Sequence, residues 1–112
     1  MNVKSIFTRI IERELPADIV YETDEIIAIR DISPQAPIHV LVVPKEPVES
    51  VLDANSHILA AVLAGCKEVA RREGIADSGF RIIFNTGEEG GQSVFHLHAH
   101  VIGGRQLDWN PG

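Results

Sequence analysis

The chain has 112 residues, 45% of them hydrophobic and 23% charged, the mix of an ordinary globule rather than a disordered or fibrous chain. At this length about two-thirds of the unfolded surface can be buried, enough for one core, so a single domain over 1–112 is expected. Sixteen acidic against ten basic residues, a net charge of −6, disfavour a nucleic-acid binder, which depends on excess Lys and Arg.

The longest run free of Asp, Glu, Lys and Arg, Gly90 to Gly104, is shorter than the ~20 apolar residues a bilayer span requires, so no membrane partner is expected. Lys4, Arg9, Glu12 and Arg13 interrupt anything resembling a signal-peptide core. Cys66, the only cysteine, can form no internal disulfide, and a reducing, cytoplasmic setting is the expectation.

In chain order, Ser5 can cap a first helix in which Ile6, Phe7, Ile10 and Ile11 share a face and which Pro16 stops. Ile19 to Glu22 and Glu25 to Asp31, rich in branched residues and parted by Thr23-Asp24, read as a hairpin. Ile32 to Pro37 is too proline-dense for regular structure, and Ile38 to Val43 is a β-prone run that Pro44 and Pro47 terminate. From Asn55 or Ser56 the period changes, with Leu59, Val62, Leu63, Cys66, Val69 and Ala70 at helical spacing and Gly74 as the residue past the end. Phe80 to Asn85 alternates again, and Val94 to Ile102 reads as a last strand closed by Gly103-Gly104. With only one strand-helix-strand passage, the order predicts an α+β fold with a mainly antiparallel sheet.

The last strand carries the chemistry. His96, His98 and His100 alternate with Leu97, Ala99 and Val101, so the imidazoles share one face, about 7 Å apart, while Phe95, Leu97, Ala99 and Val101 face the core. Two uses suit such a row. Zinc is one, with His39 as the natural additional ligand. The other is nucleophilic attack by a neutral imidazole on phosphorus, with flanking imidazoles orienting it and, when protonated, stabilising phosphoryl oxygens. A purely structural row is the third reading. The preceding Gly87-Glu-Glu-Gly-Gly-Gln-Ser93 loop favours catalysis. Gly90 and Gly91 allow backbone N–H groups to turn inward as an anion nest, and Gln92 and Ser93 add side-chain donors.

On local sequence alone His39 reads as an ordinary buried histidine, Asp31 and Asn85 as turn formers and His57 as a surface residue. Trp109, the only tryptophan, lies in a polar tail and is expected to dock onto another subunit.

His96-Leu-His98-Ala-His100-Val-Ile resembles the signature of the histidine triad family. The likeness extends to Asp31-Ile-Ser-Pro-Gln-Ala-Pro-Ile-His39, to the Gly-Gly-Gln-Ser loop and to the tail from Gly103 through Trp109 to Gly112, all similar to the family's nucleotide-binding (HINT) branch. The resemblance implies a five-stranded antiparallel sheet with two helices, and a homodimer whose sheets join. It further implies metal-independent hydrolysis of purine nucleoside phosphoramidates, and possible use of acyl-adenylates, with no cofactor. By the same resemblance His98 is the nucleophile, His100 binds phosphate oxygens, and His96 and His39 hold the site's hydrogen bonds. Ser93 contacts phosphate or helps protonate the leaving amine, and Gly91, Gln92 and Asn85 line the site. Asp31 accepts from the ribose, and Phe7, Ile10, Ile32 and Leu41 form the base pocket. The tail from about residue 103, with Trp109, reaches the partner's site. Ile29 stands where relatives often carry an aromatic residue, and Asn110 where a proline is often seen. Two alternatives are kept open: a dinucleoside polyphosphate hydrolase of the same superfamily, and a zinc- or nucleotide-binding interaction module.

Overall fold

The periodicities resolve into helix α1 (Ile6–Ile11), strands β1 (Ile19–Glu22), β2 (Ile26–Arg30) and β3 (Ile38–Pro44), helix α2 (Ser56–Arg72), and strands β4 (Phe80–Ile83) and β5 (Ala99–Gly103). The computed structural model describes residues 3–112, so the first two residues of the expected domain lie outside the described residues. All five strands form one antiparallel sheet in the order β1-β2-β3-β5-β4. The expected α+β class with two helices is observed.

Strand alternation divides the side chains between two faces. Ile26, Ala28, Val40, Val42, Ala99 and Val101 pack with α2. Ile27, Ile29, Leu41 and Val43 emerge on the opposite face, where Phe7 and Ile10 of α1 cover them. The α2 stripe is Ile58, Val62, Gly65, Cys66, Val69 and Ala70; Leu63, expected on it, is 41% exposed. Gly65 sets the depth of that packing. A Cβ there would fall 2.9 Å from Val42 Cγ1 and 3.1 Å from Ile26 Cδ1, so the helix sits closer to the sheet than alanine allows. Burial pushes the Cys66 thiol up to about 12, which leaves it an inert core residue.

Helix α1 is shorter than predicted and buries less. Ser5 caps it by accepting from Thr8 N at 3.0 Å, but only Phe7 and Ile10 are buried, and Ile6 points to solvent. It ends at Ile11 rather than at Pro16, because Arg13 takes a left-handed φ of 64° and the amides of Glu14 and Leu15 fold back onto the Arg9 carbonyl.

The last strand also differs from expectation. Pairing between β3 and β5 starts at Val42 with Ala99, because β3 ends at Pro44, which has no N–H to continue the ladder. Val94–His98 therefore lie outside the sheet, held by the Leu97 amide donating to the Val48 carbonyl at 2.7 Å. Alternation persists from Leu97 onward, so Leu97, Ala99 and Val101 reach the core as predicted. Phe95 does not: it is 57% exposed. Strand β4 stops at Ile83, which leaves Phe84 and Asn85 in the connection that follows.

Candidate active site

The register brings the fourth histidine to the row. His39 lies opposite Ile102 and His100 opposite Leu41, so His39 and His100 are diagonal neighbours on one face of adjacent strands. Their rings are 5.1 Å apart, as are those of His98 and His100, which is closer than the regular strand spacing predicted. Phe7 continues the row, with its ring 4.9 Å from His98 and 5.8 Å from His96. His39, His96 and His98 are buried, and His100 is partly so.

Hydrogen bonds to groups that can only accept or only donate assign the tautomers. His98 Nδ1 lies 2.8 Å from the His96 carbonyl, so Nδ1 carries the hydrogen and the neutral ring keeps its lone pair on Nε2. His39 Nδ1 accepts from the Gln35 amide at 3.0 Å, so its hydrogen is on Nε2, which donates to His100 Nδ1 at 2.9 Å. The hydrogen of His100 then sits on Nε2, the buried side-chain nitrogen or oxygen without a partner among the described residues. A nucleophilic nitrogen thus stands beside an unspent N–H donor. His96 has a third arrangement. Its Nε2 donates to the Pro44 carbonyl at 2.9 Å, and its Nδ1 faces the Ser5 hydroxyl at 2.6 Å and that of Thr8 at 3.3 Å.

Burial favours the neutral form of His39, His96 and His100. It lowers His96 and His39, the latter against the opposing pull of the Asp31 carboxylate. It brings His100 down to about 4, helped by the positive charge that His98 and His39 would carry. This corrects the expectation of protonated flanking imidazoles: His100 offers a neutral N–H to an anion, not an imidazolium.

Asp31 Oδ1 accepts from the Ser33 amide at 2.7 Å, and Oδ2 lies 3.5 Å from His39 Nε2. Ligand atoms of Asp31, His39 and His100 fall within 4.8 Å of one another, so this trio, with His39 as the expected added ligand and only one histidine of the row, could hold a metal ion.

The glycine-rich loop is built differently from the predicted nest. The Gly91 amide donates to Glu88 O and the Gln92 amide to Gly87 O, each at 3.0 Å, so both are spent within the loop. The Gln92 side chain is buried and committed as well. Its Oε1 accepts from Gly87 N at 2.9 Å, and its Nε2 donates to Glu49 O at 2.6 Å and Val94 O at 3.1 Å. Gln92 braces the loop and is no free donor to a ligand. Gly90 is required because a Cβ would collide with the Thr86 carbonyl, and Gly91 because its φ is +84°. Ser93 is exposed and Asn85 half-buried, and neither bonds a histidine among the described residues.

Phe7, Ile10 and Leu41 come together beside the row, with Ile29 buried in the same cluster. Ile32 does not join them; it is 98% exposed on the loop after β2. Trp109 is 87% exposed, in a tail held by Arg81 donating to the Asp108 carbonyl at 2.7 Å. His57 is a surface residue, as read, 3.1 Å from Glu25. Ser5 and Thr8 were missed as neighbours of the row; the capping position of Ser5 was visible, but nothing local tied it to a residue 91 positions away.

The chain is similar to known proteins in sequence and in fold. The HIT domain pattern matches residues 12–107. The chain is 49% identical to an uncharacterized HIT-like protein of Synechococcus elongatus over 100% of both chains. It is 44% identical to a purine nucleoside phosphoramidase of Escherichia coli K12, over 96% of this chain and 92% of that one. A crystal structure of a HIT family hydrolase from Legionella pneumophila superposes with a TM-score of 0.93 at 43% identity, covering 97% of this chain and 100% of that one. The match over most of the length, together with the row of imidazoles, places the chain in the histidine triad (HIT) family.

Proposed function

We propose that the protein is a hydrolase of purine nucleoside 5′-phosphoramidates, converting an adenosine phosphoramidate to AMP and an amine. One observation carries this reading: the His96 carbonyl takes the Nδ1 hydrogen of His98 and leaves the Nε2 lone pair available beside the free N–H of His100. In the first step His98 Nε2 forms a bond to phosphorus, the P–N bond breaks, and the amine nitrogen takes up a proton relayed from solvent, a relay to which we assign the exposed Ser93 hydroxyl. In the second step water adds its oxygen to phosphorus, the N–P bond to His98 breaks, and the water's proton passes to solvent. His100 Nε2–H would donate to a non-bridging oxygen throughout, and one such preorganised donor is worth on the order of 100-fold in rate. Splitting the displacement at one nitrogen needs no metal.

The apolar cluster of Phe7, Ile10, Ile29 and Leu41 suits a purine face, and Asp31 suits the ribose hydroxyls. The similarity to the Escherichia coli enzyme supports the same substrate class. Acyl-adenylates have the same nucleotidyl half and fit the same scheme. The acidic loop tip at Glu88 and Glu89 argues against dinucleoside polyphosphates. We further infer a homodimer working in the cytoplasm. β4 ends the sheet, and its open edge offers unpaired backbone groups to a second copy. In that assembly the tail with Trp109 would approach the partner's site. No helix among the described residues is long and apolar enough to cross a membrane.

A second reading rests on the Asp31, His39 and His100 trio: a zinc-binding module. Release of a fluorescent amine from an adenosine 5′-phosphoramidate, by wild type and His98→Ala with and without chelator, separates the two. Hydrolysis predicts chelator-resistant turnover that falls at least ~1,000-fold in His98→Ala. Turnover lost to the chelator, or kept by His98→Ala, refutes it.

A further inference from the structure

We propose that Ser5 is a positioning residue of this site: its hydroxyl locks His96 in one tautomer and orientation, and through the His96 carbonyl it holds the nucleophile His98 in place. The inference rests on the hydrolase reading of the row.

The hydroxyl has one hydrogen and two lone pairs, and the structure uses both kinds. One lone pair accepts from the Thr8 amide at 3.0 Å, which caps α1. The hydrogen points to His96 Nδ1, 2.6 Å away, because the Pro44 carbonyl at the other end of the ring has already taken the Nε2 hydrogen. The imidazole of His96 is therefore a crosslink with fixed polarity. It joins the start of α1 to the end of β3 from a segment outside the sheet. The ring is 1% exposed, and both of its nitrogens are met by protein partners. The same residue's carbonyl receives His98 Nδ1 at 2.8 Å. Loss of the Ser5 bond leaves the ring of His96 anchored mainly at the Pro44 carbonyl, and so loosens one of the two supports of the peptide on which the nucleophile depends. Outside the sheet, that peptide keeps one other tether, the Leu97 amide donating to the Val48 carbonyl at 2.7 Å. The Thr8 hydroxyl, 3.3 Å from the same nitrogen and 3.2 Å from the Ser5 oxygen, is a longer contact on both counts than the 2.6 Å between Ser5 and His96.

An ordinary cap makes a different forecast, which allows a test. Asp caps helices as well as Ser does, but a carboxylate cannot donate to a lone pair. In Ser5→Asp the helix would stay capped, whereas Nδ1 of His96 would face a carboxylate and either take a second hydrogen or fall back on the longer Thr8 hydroxyl contact at 3.3 Å. We expect full-length Ser5→Asp to fold, to lose at least tenfold in kcat on the fluorogenic phosphoramidate and to change little in KM. Ser5→Thr, which keeps both functions, should stay within about threefold of wild type. If Ser5 only docks α1, the loss falls in KM, because α1 carries Phe7 and Ile10 of the apolar pocket. Ring nitrogen-15 spectra give an independent readout: His96 should show a lone-pair Nδ1 in wild type and two protonated nitrogens in Ser5→Asp. Retained kcat in Ser5→Asp, or an unchanged His96 spectrum, overturns the proposal. Absence of turnover in wild type overturns the hydrolase reading instead, and the two failures are distinguishable.

Discussion

Burial holds His100 at about 4, against 6.5 for an exposed imidazole, and this ties folding to pH in a calculable way. Between those values the unfolded chain binds a proton at this position that the folded chain refuses. Stability is therefore fully present above the unfolded value and is lost as the pH falls toward the folded one. For one group with these two values, lowering the pH from about 7 to about 4.5 removes about 2.5 kcal/mol. His39 and His96 are lowered as well and add to the loss in the same direction. Replacing His100 by Gln removes its share, so the variant should lose about 2.5 kcal/mol less than wild type over the same interval. Urea unfolding at both pH values, for both proteins, measures it, and the carboxylates common to the two cancel in the comparison. Parallel losses in wild type and His100→Gln would refute the argument, because His100 would then titrate alike in the folded and unfolded chains.

Two further outcomes follow from the site's hydrogen bonds. Gln92→Ala strips partners from Gly87 N, Glu49 O and Val94 O, and at about 1 kcal/mol for each bond it should destabilise by about 3 kcal/mol in urea unfolding; a shift under ~1 kcal/mol would mean the brace is dispensable. Zinc should bind the Asp31, His39 and His100 trio and inhibit phosphoramidate turnover, because it takes the nitrogens that pass hydrogen bonds along the row. Calorimetry should show about tenfold weaker zinc binding in Asp31→Asn, and equal affinity would place the ion elsewhere.

Much of the fold could be read from period alone. The β-prone run at 38–43, ended by Pro44, and helical spacing from Ser56 onward located β3 and α2, because β3 is buried on both faces and α2 along one stripe. The misreadings have a common cause in partners that lie far away in sequence. Phe95 alternates correctly for a core position, yet β3 ends at Pro44 and leaves it with no sheet to enter. Gln92 looked like a free donor because its acceptors, among them Glu49, are brought in by a different connection. The three triad histidines share a face, as spacing predicted. Their protonation was out of reach, since it depends on burial and on carbonyls that only the fold supplies. Ile32 shows the limit of carrying a residue over by likeness: its neighbours Asp31 and His39 meet at the row while its own side chain faces solvent.

The two working imidazoles differ in what fixes their chemistry. The lone pair of His98 is dictated by a peptide carbonyl two residues earlier, an atom that no codon change can delete. The donor hydrogen of His100 is dictated by the side chain of His39, which a single substitution removes. As sequences of this type drift apart, the attacking nitrogen is the inherited constant, and the group that greets the phosphate is the part open to revision. Divergence in substrate choice should therefore begin at positions 39 and 100, while the capacity for covalent attack at position 98 outlasts it.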